Sequence, residues 1–302
     1  MIRYYRHNEI DKSAWDNCIE NSQNGLIYAC SWYLDIVCPG WGALVQDNYD
    51  SVMPLPEKSK FGLSYIYKPV FTQQMGVFYR IKIDEPKFKL FLNSIPQHIR
   101  FADICVNADN NFVISEYSSK ENNNYELNLE KGYQELFNFF SENHKRNIKK
   151  ASTFDLTFKE DLNIEGLIDF KKKNNEIFVN EKELNILNII AGKSFKKGIG
   201  KIYSTFNAEN QRIASVFFVF YKNRATYLFP VSNREGIKKR AMFYLIDNII
   251  KKYSGSKIIL DFEGSNIPGI AFFFSGFGAV SQNYLSFRIN RLPWYIKFLK
   301  HS

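Results

Sequence analysis

Histidine and cysteine are scarce in this chain, four of each among 302 residues. Cys18, Cys30, Cys38 and Cys105 show no C-x-x-C spacing, and His7, His98, His144 and His301 do not pair with them, which argues against structural zinc; no metal ligands are assigned. Long apolar runs are also missing. No segment reaches the roughly 20 apolar residues that a membrane span requires. The opening MIRYYRHNEIDKSAWD has no apolar core of signal-peptide length. Heptads and low-complexity tracts are absent. The expectation is a cytoplasmic protein with reduced thiols and no membrane span.

What is present excludes disorder: 45% of the residues are hydrophobic and 17% aromatic. At this length two medium domains are the better expectation than one core. The net charge of +9 favours polyanionic or phosphorylated partners, although a charge spread over many helices also serves solubility. Basic clusters lie at Lys145-Arg146 with Lys149-Lys150, at Lys171–Lys173, at Lys193 with Lys196-Lys197, and at Lys238–Arg240.

The most informative stretch is Tyr227–Ser265. An apolar run over Thr226–Pro230 ends in the polar turn Ser232-Asn233-Arg234-Glu235-Gly236. Apolar residues then recur at Ala241, Met242, Leu245, Ile246, Ile249, Ile250 and Tyr253, one stripe of a helix that Gly255 closes. Lys257–Phe262 follows as a buried parallel strand would, so the unit reads as a strand-helix-strand crossover. Amides at a helix start favour an anion, and Lys238, Lys239 and Arg240 add charge within the first turn. Phosphate is the guest this chemistry suits; the plain alternative is three basic side chains solvating a surface turn.

Elsewhere, strands are expected at Gly42–Gln46, Ser51–Leu55, Leu63–Tyr67 and Ala102–Val106, with a helix over Pro86–Ile99 interrupted at Pro96. Gln73 and Gln74 sit between apolar runs, where buried amides either satisfy backbone groups or face a substrate. The asparagine-rich Lys120–Asn124 is the expected boundary, dividing the chain into residues 1–124 and 125–302. Beyond it come the strand Tyr125–Leu129 and the helix Gly132–Ser141. Arg146 and Lys150 then stand at i and i+4, able to hold a phosphate or carboxylate of a substrate, or to be solvated surface. Helices over Ile164–Phe178 and Glu181–Lys197, three antiparallel strands between Lys201 and Pro230, a helix over Ile267–Phe274 and a last strand Tyr284–Asn290 complete the second half. The aromatic tail Arg291–Lys300 reads as a helix, compatible with a homodimer contact.

This order of elements, from about Leu162 to Asn290, resembles the GNAT acyltransferase fold. Asp261-Phe262-Glu263-Gly264-Ser265, Gly269-Ile270-Ala271-Phe272-Phe273-Phe274 and Gly276-Phe277-Gly278-Ala279 resemble FemAB-type acyltransferases, built from two GNAT-like halves. His144-Lys145-Arg146-Asn147-Ile148-Lys149-Lys150-Ala151 resembles the segment opening that group's second half, and Ser31-Trp32-Tyr33 with Phe71-Thr72-Gln73-Gln74-Met75-Gly76 extends the likeness over nearly the whole chain. The implied fold is α/β (α+β), two halves each with a mixed central sheet flanked by helices. One departure stands out: Arg234-x-Gly236 is followed by Lys238 where GNAT proteins that bind acetyl-CoA carry a second glycine.

The resemblance implies an N-acyltransferase, with acyl-CoA or aminoacyl-tRNA as donor, an amine-bearing acceptor such as a cell-wall or sugar-linked amine, and no permanently bound cofactor. The donor would lie on Val231, Ser232, Asn233, Arg234, Gly236, Lys238, Lys239 and Arg240, with an amide near Val231 or Ser232 polarising the acyl carbonyl between splayed strands. Asp261 and Glu263 alternate with Phe262 on one strand and are expected to share a face, Glu263 or Asp261 acting as the amine-orienting base. Ser265 and Tyr284 are candidate proton donors. The plain readings are an ion pair for Asp261 and a helix cap for Ser265. A catalytically inactive GNAT-like module that binds a phosphorylated sugar or nucleic acid is the alternative.

Overall fold

The computed structural model describes residues 1–174, 180–264 and 266–294. The chain forms two compact units. In the first, β1 (Ile2–Tyr5), α1 (Lys12–Asn21), α2 (Ser31–Val37), β2 (Gly42–Gln46), β3 (Ser51–Leu55), β4 (Glu57–Lys60), β5 (Leu63–Ile66), β6 (Phe78–Tyr79), α3 (Glu85–Asn93), β7 (Ile99–Cys105) and β8 (Ser118–Asn122) follow in order. The second contains β9 (Tyr125–Asn128), α4 (Tyr133–Asn138), α5 (Glu142–Ala151), β10 (Thr157–Asp161), α6 (Ile164–Lys173), α7 (Glu181–Lys196), β11 (Gly200–Phe206), β12 (Arg212–Tyr221), β13 (Arg224–Ser232), α8 (Arg234–Lys238), α9 (Ala241–Tyr253), β14 (Ile259–Asp261), α10 (Pro268–Ser275) and β15 (Val280–Ser281). The last strand, β16 (Tyr284–Asn290), belongs to the first unit again.

That return corrects the expected boundary. The division falls after Asn122 and again after Gln282, because β16 lies between β7 and β8, with Arg288 opposite Asp103 on one side and opposite Ser118 on the other. Strand pairing is non-local, so composition along the chain carried no trace of it. The first unit holds a sheet ordered β1-β2-β3-β6 and another ordered β4-β5-β7-β16-β8, in which β5 and β7 are parallel. Its core joins Phe88, Phe91 and Leu92 of α3 to Ala102 and Ile104 of β7 and Phe287 of β16.

The second unit is one sheet ordered β10-β11-β12-β13-β14-β9-β15, antiparallel except where β13 meets β14. Alternation along β12 serves two layers. Ala214, Val216 and Phe218 belong to the core beneath α9, while the Phe217 ring meets Phe195 of α7 at 5.8 Å. The stripe expected on α9 is buried at Ala241, Leu245, Ile246, Ile249 and Ile250, and burying each large side chain contributes roughly 1.5–3 kcal/mol. The expected single helix after the polar turn is instead two. Arg240 takes a left-handed backbone, φ 59°, which ends α8 and starts α9. The residues 175–178 and 295–300 of two expected helices lie outside the described ones.

Candidate active site

The feature that organises the second unit is how β13 and β14 part. Their parallel ladder runs through Arg224/Ile259, Ala225/Leu260 and Thr226/Asp261 and stops, while β13 continues to Ser232 paired only with β12. Pro230 shows why this strand tolerates a proline in mid-sheet. It sits opposite Val216 at a position whose absent N–H would face the side that β14 has left. Asn233 donates to the Ile213 carbonyl at 3.1 Å, so alternation turns the Val231 amide towards Ser215 and the Ser232 amide towards the opening. A bulge at Leu228, between the pairs Phe217/Phe229 and Phe218/Tyr227, bends β13 there. Rings line the parted strands: Tyr227 lies 5.8 Å from both Phe262 and Phe274, which stack on each other at 4.9 Å. Burial pushes the Tyr227 hydroxyl well above its ordinary range, so it stays protonated, and it donates to Met242 Sδ at 3.5 Å.

Asp261 closes the ladder and is 1% exposed. Its Oδ2 accepts from Arg224 Nη1 at 2.8 Å and its Oδ1 from the Glu263 amide at 2.9 Å. The same Arg224 nitrogen donates to Glu126 Oε1 at 2.6 Å, to which Asn124 also donates at 3.1 Å. Burial works against the guanidinium charge, but Asp261 and Glu126 outweigh it and hold the Arg224 pKa up. For Glu126 burial dominates over Arg224, and its carboxyl pKa is raised. Asp261 is thus committed to an ion pair that fixes the strand end. The expected shared face of Asp261 and Glu263 is corrected: β14 ends at Asp261, and Glu263 has a left-handed backbone, φ 58°, so strand alternation does not reach it. Its amide is held by Asp261, its carbonyl accepts from Tyr125 at 3.3 Å, and the residue is half-buried.

The expected donor turn is more closed than its sequence indicates. The Asn233 side chain caps α8 by accepting from the Gly236 amide at 2.7 Å. A Cβ on Gly236 would lie 2.1 Å from the Ile213 carbonyl oxygen, so only glycine fits against β12. Lys239 pairs with Glu235 at 2.7 Å, and Asn207 also donates to Glu235, at 3.0 Å. Arg234 and Lys238 are exposed, and Arg240 is half-buried at the start of α9, where no side chain caps the helix. Arg146 and Lys150 are exposed on α5, and that helix runs into Phe154, whose ring lies 5.8 Å from Lys239 Nζ. The two basic segments that stand far apart in sequence are therefore neighbours within the second unit.

No family model and no curated protein sequence matches the chain. Among solved structures it is similar to FemX, with 11% identity, a TM-score of 0.68, and 95% of this chain and 98% of that one covered. The fold is a FemAB-like GNAT fold. The C-terminal domain of a putative lysylphosphatidylglycerol synthetase from Agrobacterium fabrum is similar at 9% identity and TM-score 0.56, covering 94% of this chain and 92% of that one. An acetyltransferase of the GNAT family from Colwellia psychrerythraea is similar at 11% and 0.53, covering 96% and 100%. At such identities it is the GNAT fold that is shared, in both halves.

Within that GNAT fold the remaining candidates are distributed as follows. Gln73 and Gln74 are buried in the first unit; Gln74 donates to Gln73 at 3.0 Å and accepts from the Ala108 amide at 3.1 Å, so its amide serves the backbone. Tyr284 is buried in β16, opposite Asn122. Ser265 lies outside the described residues. Sequence reasoning missed Arg224, Glu126 and His144. His144 is fully buried among Phe243, Phe273 and Phe277. Its Nε2 donates to the Phe273 carbonyl at 2.8 Å, leaving Nδ1 to accept from Ser141 Oγ at 2.9 Å. A Cβ on Gly276 would strike this ring at 1.9 Å, so the histidine of α5 and the glycine after α10 are one packing device. The only sequence signal was their presence in the two segments that carry the family likeness.

Proposed function

We propose that the chain is an N-acyltransferase that moves an acyl or aminoacyl group from acyl-CoA or aminoacyl-tRNA to an amine. The observation that carries this reading is the parting of β13 from β14 beyond Thr226 and Asp261, with the Ser232 amide turned into the gap and Glu263 at its rim. The names of the similar structures, a GNAT-family acetyltransferase and a lysylphosphatidylglycerol synthetase, support acyl or aminoacyl transfer. In this mechanism the Ser232 N–H polarises the acyl carbonyl, and the amine nitrogen attacks its carbon. The bond to the carrier then breaks, and a proton passes from the amine to the leaving group. Glu263 orients the neutral amine, directly or through water, and Asp261 with Arg224 holds the backbone of Glu263 in place. Ser265 is the candidate proton donor; Tyr284 belongs to the first unit and has no part in this site. Arg234, Lys238, Arg240, Arg146 and Lys150 supply positive charge for the carrier's phosphates.

The test is transfer from acetyl-CoA, longer acyl-CoAs and charged tRNA to a panel of amines, with donor binding followed by calorimetry. Glu263→Gln is expected to lower turnover on the order of 100-fold with donor affinity unchanged, whereas an unaltered rate removes Glu263 as base. The closed donor turn, with Gly236 capped by Asn233 and Lys239 held by Glu235, favours a second reading: a catalytically inactive GNAT-like module that binds a phosphorylated sugar or nucleic acid. Binding of charged tRNA without acyl movement would establish that reading and end the first.

A further inference from the structure

A second surface stands apart from acyl transfer, at one end of the β4-β5-β7-β16-β8 sheet of the first unit. The β4–β5 hairpin pairs Lys60 with Leu63 and turns on Phe61-Gly62, both at positive φ, 52° and 73°. Asparagine and glycine suit the first position of such a turn; a phenylalanine there is strained. It receives no packing in return, since Phe61 is 92% exposed, with Lys60 Nζ 5.3 Å from its ring. The register then sets the neighbours. Ser64 lies opposite Ile99 and Tyr65 opposite Phe101, while Asn290 at the end of β16 also lies opposite Phe101. The hairpin tip and the chain beyond Asn290 therefore leave the sheet at the same end, and the Arg291 amide bonds the Arg100 carbonyl there at 2.8 Å. Trp294 follows, 83% exposed, whereas Trp15 and Trp41 are fully buried.

The charge at this end is positive, with Lys60 and Arg100 exposed. Of the acids on neighbouring elements, Glu116 pairs with Lys89, and Glu57 lies opposite Ile66, away from the hairpin tip. The Arg291 guanidinium is occupied by the carbonyls of Ile95 and Pro96. An exposed ring beside a lysine at a projecting hairpin tip, with a second exposed ring and an exposed arginine at the same end of the sheet, is the combination that suits the headgroup region of a bilayer carrying negative lipids. Nucleic acid would favour rings laid along a sheet face with cations tracking the phosphates; these rings stand beyond the last paired residues.

We propose that this end of the first unit docks on an anionic lipid bilayer, with Phe61 and Trp294 as interfacial anchors and Lys60 and Arg100 as headgroup contacts. The full chain should sediment with phosphatidylcholine vesicles that contain phosphatidylglycerol, less with phosphatidylcholine alone, and less as salt rises. Trp294 emission should shift to the blue on binding, a shift absent from Trp294→Phe. The double variant Phe61→Ser/Trp294→Ala should lower vesicle affinity by about tenfold or more, and Lys60→Gln by about fivefold. Both substitutions are at exposed positions, and circular dichroism checks that the fold is kept. Wild-type protein that ignores phosphatidylglycerol vesicles, or a double variant that binds them as wild type does, would overturn the proposal. So would loss of binding to a single-stranded RNA oligomer in the double variant with vesicle affinity unaltered, which would make the surface a nucleic-acid contact. None of these outcomes depends on acyl transfer.

Discussion

In the first unit the chain that follows β5 comes back to prolong the parallel pair. Met75 bridges Val106, its amide bonds the Cys105 carbonyl at 2.9 Å, and its carbonyl accepts from the Asn107 amide at 2.8 Å. Buried asparagines complete the closure, with Asn110 Oδ1 accepting from the Val77 amide at 2.6 Å and Asn24 donating to the Val77 carbonyl at 2.9 Å. In the second unit the equivalent parallel pair ends early, and among the described residues nothing extends its ladder. A buried charge cluster fixes the end, and stacked rings line the space beyond. The two units therefore share a pattern of sheet pairing and differ in how its end is finished. An opening between parallel strands is not a consequence of the topology; it follows from local choices such as Pro230 on β13 and the left-handed Glu263.

The largest test of this contrast is Arg224→Ala, which leaves Asp261 and Glu126 buried without their partner. A loss of about 3–5 kcal/mol is expected in urea unfolding. Hydrogen exchange should rise first along β9, β13 and β14, and acidification that protonates Glu126, whose carboxyl pKa burial raises, should restore part of the loss. An intermediate effect is expected in the first unit. Asn110→Ala removes the acceptor for the Val77 amide and should cost about 1–3 kcal/mol, with exchange confined to the 75–79 and 106–110 segments. If both variants loosened the same segments, the two ends would not be independent. The smallest effect is a pH dependence of the second unit. Burial, opposed by the bond to the Phe273 carbonyl, holds the His144 pKa below its ordinary 6.5. Its neutral form is favoured in the fold, so stability is full above that pH and falls as pH drops below it. The urea midpoint should decline between pH 7.5 and 5.5, and His144→Gln should start lower but remove that part of the decline.

The crossover was legible because it is local. The spacing at Ala241, Leu245, Ile249 and Tyr253 can only make one stripe, and the run before Phe262 is short and apolar enough for a buried strand. The break at Arg240 was not, since arginine has no special liking for the left-handed backbone it adopts. The ion cluster was equally hidden: Arg224 meets Glu126 and Asp261 only when three strands are side by side. Asn233 illustrates the opposite failure. Its side chain, read as part of a phosphate turn, is what satisfies the turn. Local pattern identifies elements; it does not say whether a polar group at the end of one is spent at home.

The return of β16 to the first unit has a consequence for biosynthesis. A ribosome completes Asn123–Gln282 as an uninterrupted stretch, so that unit can acquire its sheet while the chain is still growing. The sheet that contains β7 and β8 has no such freedom. The strand that lies between those two is translated only after the entire inserted unit, so two nascent strands wait with their facing edges bare. Whatever shields those edges meanwhile, such as a chaperone, matters more to the half made first than to the half made second.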